Sequence, residues 1–188
     1  MKNTIALNKT TIKTKTLITL AAIVSAVALP QLFHIAGAVS GIGGGATGAA
    51  FLPMQIPVIL AGLLAGPVAG LLAGFLSPLV SFGISGMPVA AMLPFIILEL
   101  AAYGLVAGLL GKTNSPVIFK LLLVQIVGRL VRISAVFIAV YLLGNQLGSV
   151  DSLWGFIIAG VPGILFQWAL IPLILYRVKD NKYLKNNH

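Results

Sequence analysis

The chain has no cysteine, three acidic residues and two histidines in 188 positions. Without cysteine, disulfides and thiolate metal sites are excluded, and the other ligand types are too sparse for a metal cage, so no metal or cofactor is expected. Catalysis is short of parts as well. A hydrolase needs a nucleophile, a base and an orienting group, and paired acid-base chemistry is hard to assemble from Glu99, Asp151 and Asp180 with His34 and His188 as the imidazoles. An enzyme is therefore not expected. Charged residues of both signs make up 8% of the chain, where soluble domains carry roughly 25%. Water cannot be the main solvent.

What the chain has is apolar length. Hydrophobic residues make up 59% of it, and between Lys15 and Lys112 the one full charge is Glu99. That stretch holds several spans of about 20 residues each. The expected fold is an all-α integral membrane protein, one membrane domain built as a bundle of six transmembrane helices. In this reading residues 1–16 form a cytoplasmic leader, 17–176 the six helices and 177–188 a basic cytoplasmic tail, with both termini inside the cell membrane. The net charge of +9 would suggest nucleic acid if it were spread over a folded surface. Most of the basic residues instead collect at the termini and in one short connection, the pattern of topology, so the lipid bilayer is the expected partner and nucleic acid is not. Ala26-Val27-Ala28 has the form of a signal-peptide cleavage site, but the apolar run continues past it to Ala38, which suits a retained span.

The first span is expected over 17–36, directed outward by Lys2, Lys9, Lys13 and Lys15 before it. A glycine-rich outer loop follows over 37–50. From Phe51 to Gly83 the chain is apolar throughout, and one straight helix of that length would measure about 50 Å, too long for a core of about 30 Å. It must break, and Gly66-Pro67 is the natural point, giving two short spans joined by an inner turn. Ala-Gly pairs recur every four residues from Ala61 to Gly74, a spacing that lets helix backbones approach closely. Ser85-Gly86-Met87-Pro88 makes an outer turn. A fourth span is expected over 89–110, a fifth over 117–143 and a sixth over 153–176, with Lys112 and Lys120 inside, an outer loop over 144–151, Trp154 as an interfacial anchor, and Arg177, Lys179, Lys182 and Lys185 in the tail.

Two sequences imitate nucleotide sites and fail. Gly108-Leu109-Leu110-Gly111-Lys112-Thr113 resembles the end of a phosphate-binding loop, but Val106 stands where its first glycine belongs. Gly41-Ile42-Gly43 begins a dinucleotide fingerprint, yet Ala46 replaces the third glycine. No ATPase is encoded here.

Ionisable residues inside spans cost roughly 2.5 to 3.5 kcal/mol each on insertion scales, so those present need a reason. Glu99 lies near the middle of the fourth span. Gln125, Arg129 and Arg132 stand at i, i+4 and i+7 on the fifth, one helical face that should point into the bundle, and Gln167 beside Trp168 lies at similar depth on the sixth. One reading is a polar pocket in which an arginine holds an anionic or amide-rich solute and aromatic side chains cover its apolar part. The other is that Glu99 pairs with an arginine merely to satisfy both charges; two arginines against one carboxylate leave one cation over, which favours the pocket for Arg129 or Arg132, and Arg132 can alternatively approach a backbone carbonyl or a lipid headgroup. Tyr103, one turn from Glu99, can hydrogen-bond it or simply pack. His34 at the outer end of the first span is a ligand or an interfacial residue, and Gln55 either lines a pocket or caps a helix.

The segment Phe51-Leu52-Pro53-Met54-Gln55-Ile56-Pro57-Val58-Ile59-Leu60-Ala61-Gly62, continued by Gly66-Pro67 and by Ser85-Gly86-Met87-Pro88, resembles the substrate-binding S components of energy-coupling factor (ECF) vitamin transporters, as do the six short-looped helices. The resemblance implies a non-catalytic, high-affinity binder of a vitamin-like micronutrient that associates with a transmembrane coupling protein and two ATPase subunits and topples to deliver its load. It implies that Ala22 and Ala26, matching an Ala-x-x-x-Ala face on the first helix, contact the coupling protein, with Ala21 and Ser25 offset by one. It also implies that the 37–50 loop gates the site. Substrate identity does not transfer; Arg129 and Arg132 favour a solute bearing a carboxylate or phosphate, such as pantothenate. A proton-coupled secondary transporter using Glu99 is the alternative.

Overall fold

A computed structural model describes residues 12–41, 53–142 and 160–185, with side chains as far as Val178. Most of the leader and of the glycine-rich loop, the 144–151 loop, Trp154, the start of the sixth predicted span and His188 lie outside the described residues. The described residues form six helices: α1 Ile12–Val39, α2 Gln55–Ala65, α3 Pro67–Ser85, α4 Leu93–Leu110, α5 Val117–Phe137 and α6 Val161–Lys185. A turn of π-helix, Ile138–Leu142, extends α5. No strand occurs among the described residues.

Five of these helices are long and apolar enough to cross a membrane; α2 is not. Its 11 residues measure about 16 Å, roughly half of a hydrocarbon core of about 30 Å. The expected break at Gly66-Pro67 is present, with an apolar helix on either side of it; the helix after it is of spanning length by itself, and α2 covers about half of that depth. Such a short helix is tolerated at membrane depth because protein surrounds it, so its backbone ends never meet hydrocarbon. Nearly every residue of α2 is buried, from Gln55 to Ala65, and α1, α3, α4 and α6 all pack on it.

Gly66 makes the break, with φ 100° and ψ 179°, a conformation that a residue with a Cβ adopts only under strain. Its N–H bonds the Gly62 carbonyl at 2.9 Å, closing α2. Pro67 then opens α3 at a position where its missing N–H costs nothing. In a continuous helix Gly62 and Gly70 would stand about 12 Å apart. Here a Cβ built on Gly70 would come within 2.8 Å of the Gly62 Cα, so the chain doubles back.

The predicted close approach of small residues is used between α3 and α4. Gly70 and Gly104 each lie against the other's backbone, Gly74 against the Leu100 carbonyl and Gly108 against Pro67, so the two helices run antiparallel in backbone contact. The alternating partners Ala61, Ala65, Ala69 and Ala73 are all buried. Gly111 sits by Leu63 at the end of the bundle where Gly66 turns, which puts the turn and the Lys112 connection side by side. At the other end Gln31 of α1 donates to Ser85 Oγ at 2.9 Å.

Burial is inverted relative to a water-soluble protein. Leu17, Val24, Phe75, Ile84, Leu109, Phe119, Leu130 and Phe137 are exposed, while Gln55, Glu99, Gln125, Arg132 and Gln167 are buried. An apolar rind over a polar centre is stable in lipid. These are the features of a multi-pass helical membrane protein.

The glycine contacts carry a prediction. Gly104→Ala would drive a Cβ into the Gly70 backbone and force α3 and α4 apart, costing about 1–3 kcal/mol. Gly83, in the same helix pair but facing open space, is the control: Gly83→Ala is expected to be neutral or to stabilise by up to about 1 kcal/mol through helix propensity. Thermal unfolding of the two variants in detergent measures the difference.

Candidate functional site

Two polar groups occupy the interior. The first joins α4 and α5. Glu99, with 1% of its side chain exposed, is engaged on both carboxylate oxygens: Oε1 accepts a hydrogen bond from Tyr103 Oη at 2.8 Å and forms an ion pair with Arg129 Nη1 at 3.1 Å, and Oε2 accepts from Arg132 Nη1 at 2.8 Å. The one-turn spacing of Glu99 and Tyr103 on α4 brings carboxylate and hydroxyl together. On α5 the two arginines, three residues apart, reach the same carboxylate from adjacent turns. Arg129 lies nearer the margin, with 14% of its side chain exposed against 10% for Arg132.

Gly128 makes this possible. The Tyr103 ring lies directly on it, and a Cβ there would strike the ring carbons. Gly128 was not singled out from the sequence. Its signal was its place on the buried α5 face, between Gln125 and Arg132, where a glycine among large side chains marks the seat of a neighbour's ring.

The second group joins α2, α5 and α6. Trp168 Nε1 donates to Gln125 Oε1 at 2.7 Å, Gln125 Nε2 to Gln167 Oε1 at 3.0 Å, and Gln167 Nε2 to Gln55 Oε1 at 3.0 Å. The direction of this row is fixed by chemistry. An indole N–H can only donate, so Gln125 must present its oxygen to Trp168 and its amide nitrogen onward, and so along the row. The row ends on Gln55, which keeps its NH2 as a donor. Because Gln55 opens α2, the positive end of that helix lies at the same place. α6 packs on α5 and α2, where Ile171 joins the buried apolar core and these amide bonds add a polar tie.

His34 is half-buried on α1, one turn beyond Gln31, and takes no part in the bonds of either group. Ala22 and Ala26 are buried in the chain's own core together with Ile56, Ile59 and Ala73. The side of α1 that faces outward carries Ala21, Ser25 and Ala28 instead. Lys120, not anticipated as a site residue, is buried at the end of the bundle holding the Lys112 connection, where its Nζ donates to the Thr113 carbonyl at 2.8 Å and ties that connection down.

No protein-family model, curated protein or solved structure matches this chain. The chemistry of the interior therefore rests on its own residues. Glu99, Arg129 and Arg132 sum to one positive charge. Both groups are rich in donors: two guanidinium groups, an indole and a terminal amide NH2. Among the described residues no cluster of three metal-ligating side chains occurs. Nor do these residues supply a nucleophile with an adjacent base; what they offer is hydrogen-bond donors and charge.

Removing one partner from a buried ionic group costs about 3–5 kcal/mol, because the remaining charge is stranded. Glu99→Gln leaves two guanidinium groups facing each other and is expected to lie in that range. Tyr103→Phe forfeits one hydrogen bond, about 1 kcal/mol. Gly128→Ala, which evicts the ring, is expected to exceed Tyr103→Phe, as measured by thermal unfolding in one detergent. A Gly128→Ala cost no greater than that of Tyr103→Phe would mean that the ring is not seated by this contact.

Proposed function

We propose that this chain is the solute-binding membrane subunit of an ATP-driven importer of the ECF type, crossing the bilayer six times with both termini in the cytoplasm. The observation that carries the reading is the donor-rich polar interior, assembled from four helices inside an apolar bundle, with one positive charge in excess and no catalytic set. Each such group is costly in lipid, and a bound micronutrient that accepts hydrogen bonds repays that cost. The α2 half-helix, ending in the polar interior, has the character of the discontinuous helices that frame solute sites in transporters.

Several features support the topology. The basic residues of the leader, of the Lys112 connection and of the tail fall on one side under six crossings. The Gly66 turn and the Lys112 connection lie at one end of the bundle, as that count requires.

The solute is a vitamin-like molecule, and energy comes from two ATPase subunits acting through a transmembrane coupling protein. The small-residue face of α1 that meets this coupling protein is Ala21, Ser25 and Ala28, since Ala22 and Ala26 are occupied by internal packing. Proton-coupled transport by Glu99 alone is the less favoured reading, because that carboxylate is locked by three donors.

Three experiments test this. Reconstituted alone, the chain is expected to retain its copurifying solute but to move none of it; uptake should require the coupling protein, the ATPases and ATP. Uptake by the chain alone under a proton gradient would sink the proposal. Ala21→Leu or Ser25→Leu should spare solute retention and reduce assembly with the coupling protein at least about tenfold, read by co-purification. Because the chain has no cysteine, Lys2→Cys and Asn187→Cys give clean labelling sites, and both are expected to react from the cytoplasmic face.

A further inference from the structure

The charge count of the ionic group goes further, resting on the reading that this interior holds a solute. Glu99 can neutralise one guanidinium and not two. The distribution of contacts indicates which is left over. Arg132 takes Glu99 Oε2 at 2.8 Å, whereas Arg129 shares Oε1 with the Tyr103 hydroxyl at the longer distance of 3.1 Å. Arg129 Nη2 is buried and has no hydrogen-bond partner among the described residues; Arg132 Nε is in the same state, but Arg132 makes further interactions besides its bond to Glu99, and Arg129 has the ion pair with Glu99. A guanidinium carries five N–H donors in a rigid fork, and Arg129 meets Glu99 through Nη1, so the Nη2 edge remains to be satisfied. The other buried cation of α5, Lys120, is engaged with the Thr113 carbonyl well over two turns away.

We propose that the solute is a small monoanionic oxyanion, accepted on the Nη2 edge of Arg129 while Arg132 and Tyr103 hold Glu99 in place. One negative charge brings the group to neutrality. A neutral amide leaves the excess cation standing, and a dianion such as a phosphate monoester overshoots to net negative beside Glu99; both are disfavoured in a low-dielectric interior. Arg129 is thereby the solute-contacting arginine and Arg132 a positioning residue. A soluble carboxylate and a lipid phosphodiester headgroup carry the same charge, so the source must be separated by experiment.

The test uses the full chain in phosphatidylcholine nanodiscs, with thermal unfolding and tryptophan fluorescence as readouts. The probes are formate, acetate and benzoate, their amides formamide, acetamide and benzamide, and phenyl phosphate. The carboxylates are expected to stabilise the protein at concentrations about tenfold or more below those at which the amides or the phosphate do, the worth of a charge-assisted bond. Arg129→Gln, which brings the group to neutrality by itself, should erase the preference for carboxylate over amide. Glu99→Gln, which raises the group to two positive charges, should turn it toward phenyl phosphate; should that variant not fold, Arg129→Gln decides alone. If phosphatidylglycerol in place of phosphatidylcholine abolishes the carboxylate response, the lipid headgroup is the monoanion. Absence of any carboxylate response, equal responses to carboxylate and amide, or an unchanged preference in Arg129→Gln overturns the proposal. None of these readouts involves the coupling protein or ATP, so the importer reading and the charge assignment fail separately.

Discussion

A carboxylate placed in hydrocarbon must find all its donors within the protein, because lipid has none to offer. Glu99 meets that requirement with three: a hydroxyl from its own helix and two guanidinium groups from the next. The consequences spread through the bundle. α4 and α5 must be adjacent, must present these faces to each other and must hold a common depth. Tyr103 must lie flat across α5, which only a glycine at position 128 permits. Moving any one of these elements strands a charge, an error of several kcal/mol against a total stability that is itself only of order 10 kcal/mol.

The rest of the core supplies the rigidity on which that arrangement depends. Lipid gives little hydrophobic drive for helices to associate, so close backbone packing must supply much of it. Gly70 and Gly104 at the crossing of α3 and α4, flanked by Gly74 and Gly108, make that packing. α2 is folded into the same unit by the turn at Gly66, which returns Gly62 to the side of Gly70. α6 adds amide bonds from Gln167 to Gln125 and Gln55 to the apolar packing of Ile171, so it joins the bundle through both kinds of interaction.

Much of this was legible in the sequence, and the reasons are physical. Gly66-Pro67 announces a break because no other dipeptide combines free dihedrals with a missing donor, and the break is there. The i, i+4, i+7 spacing of Gln125, Arg129 and Arg132 puts them on one face whatever the tertiary structure. Less legible was anything set by a neighbour. The enclosure of the 11-residue α2 is set by the helices around it, and with only Leu60, Leu63 and Leu64 partly exposed its sequence carries little periodicity to register. Whether Ala22 or Ala21 faces inward is a rotation of 100° about α1, decided by α2 and α3 and not by α1 itself, whose two faces are almost equally apolar. Gly128 was passed over for the same reason: its role belongs to the ring of Tyr103, and only the packed structure brings the two together.

The row of three glutamines has one further property. A primary amide is nearly symmetric in shape, so a closed set of them could be reversed end for end at little cost, and its electric polarity would then be undefined. Trp168 removes that degeneracy, since an indole cannot accept. A single aromatic side chain thereby sets the sign of a dipole running from α6 to α5, back to Gln167 of α6 and on to α2, and decides that Gln55 presents its amide hydrogens to whatever meets it.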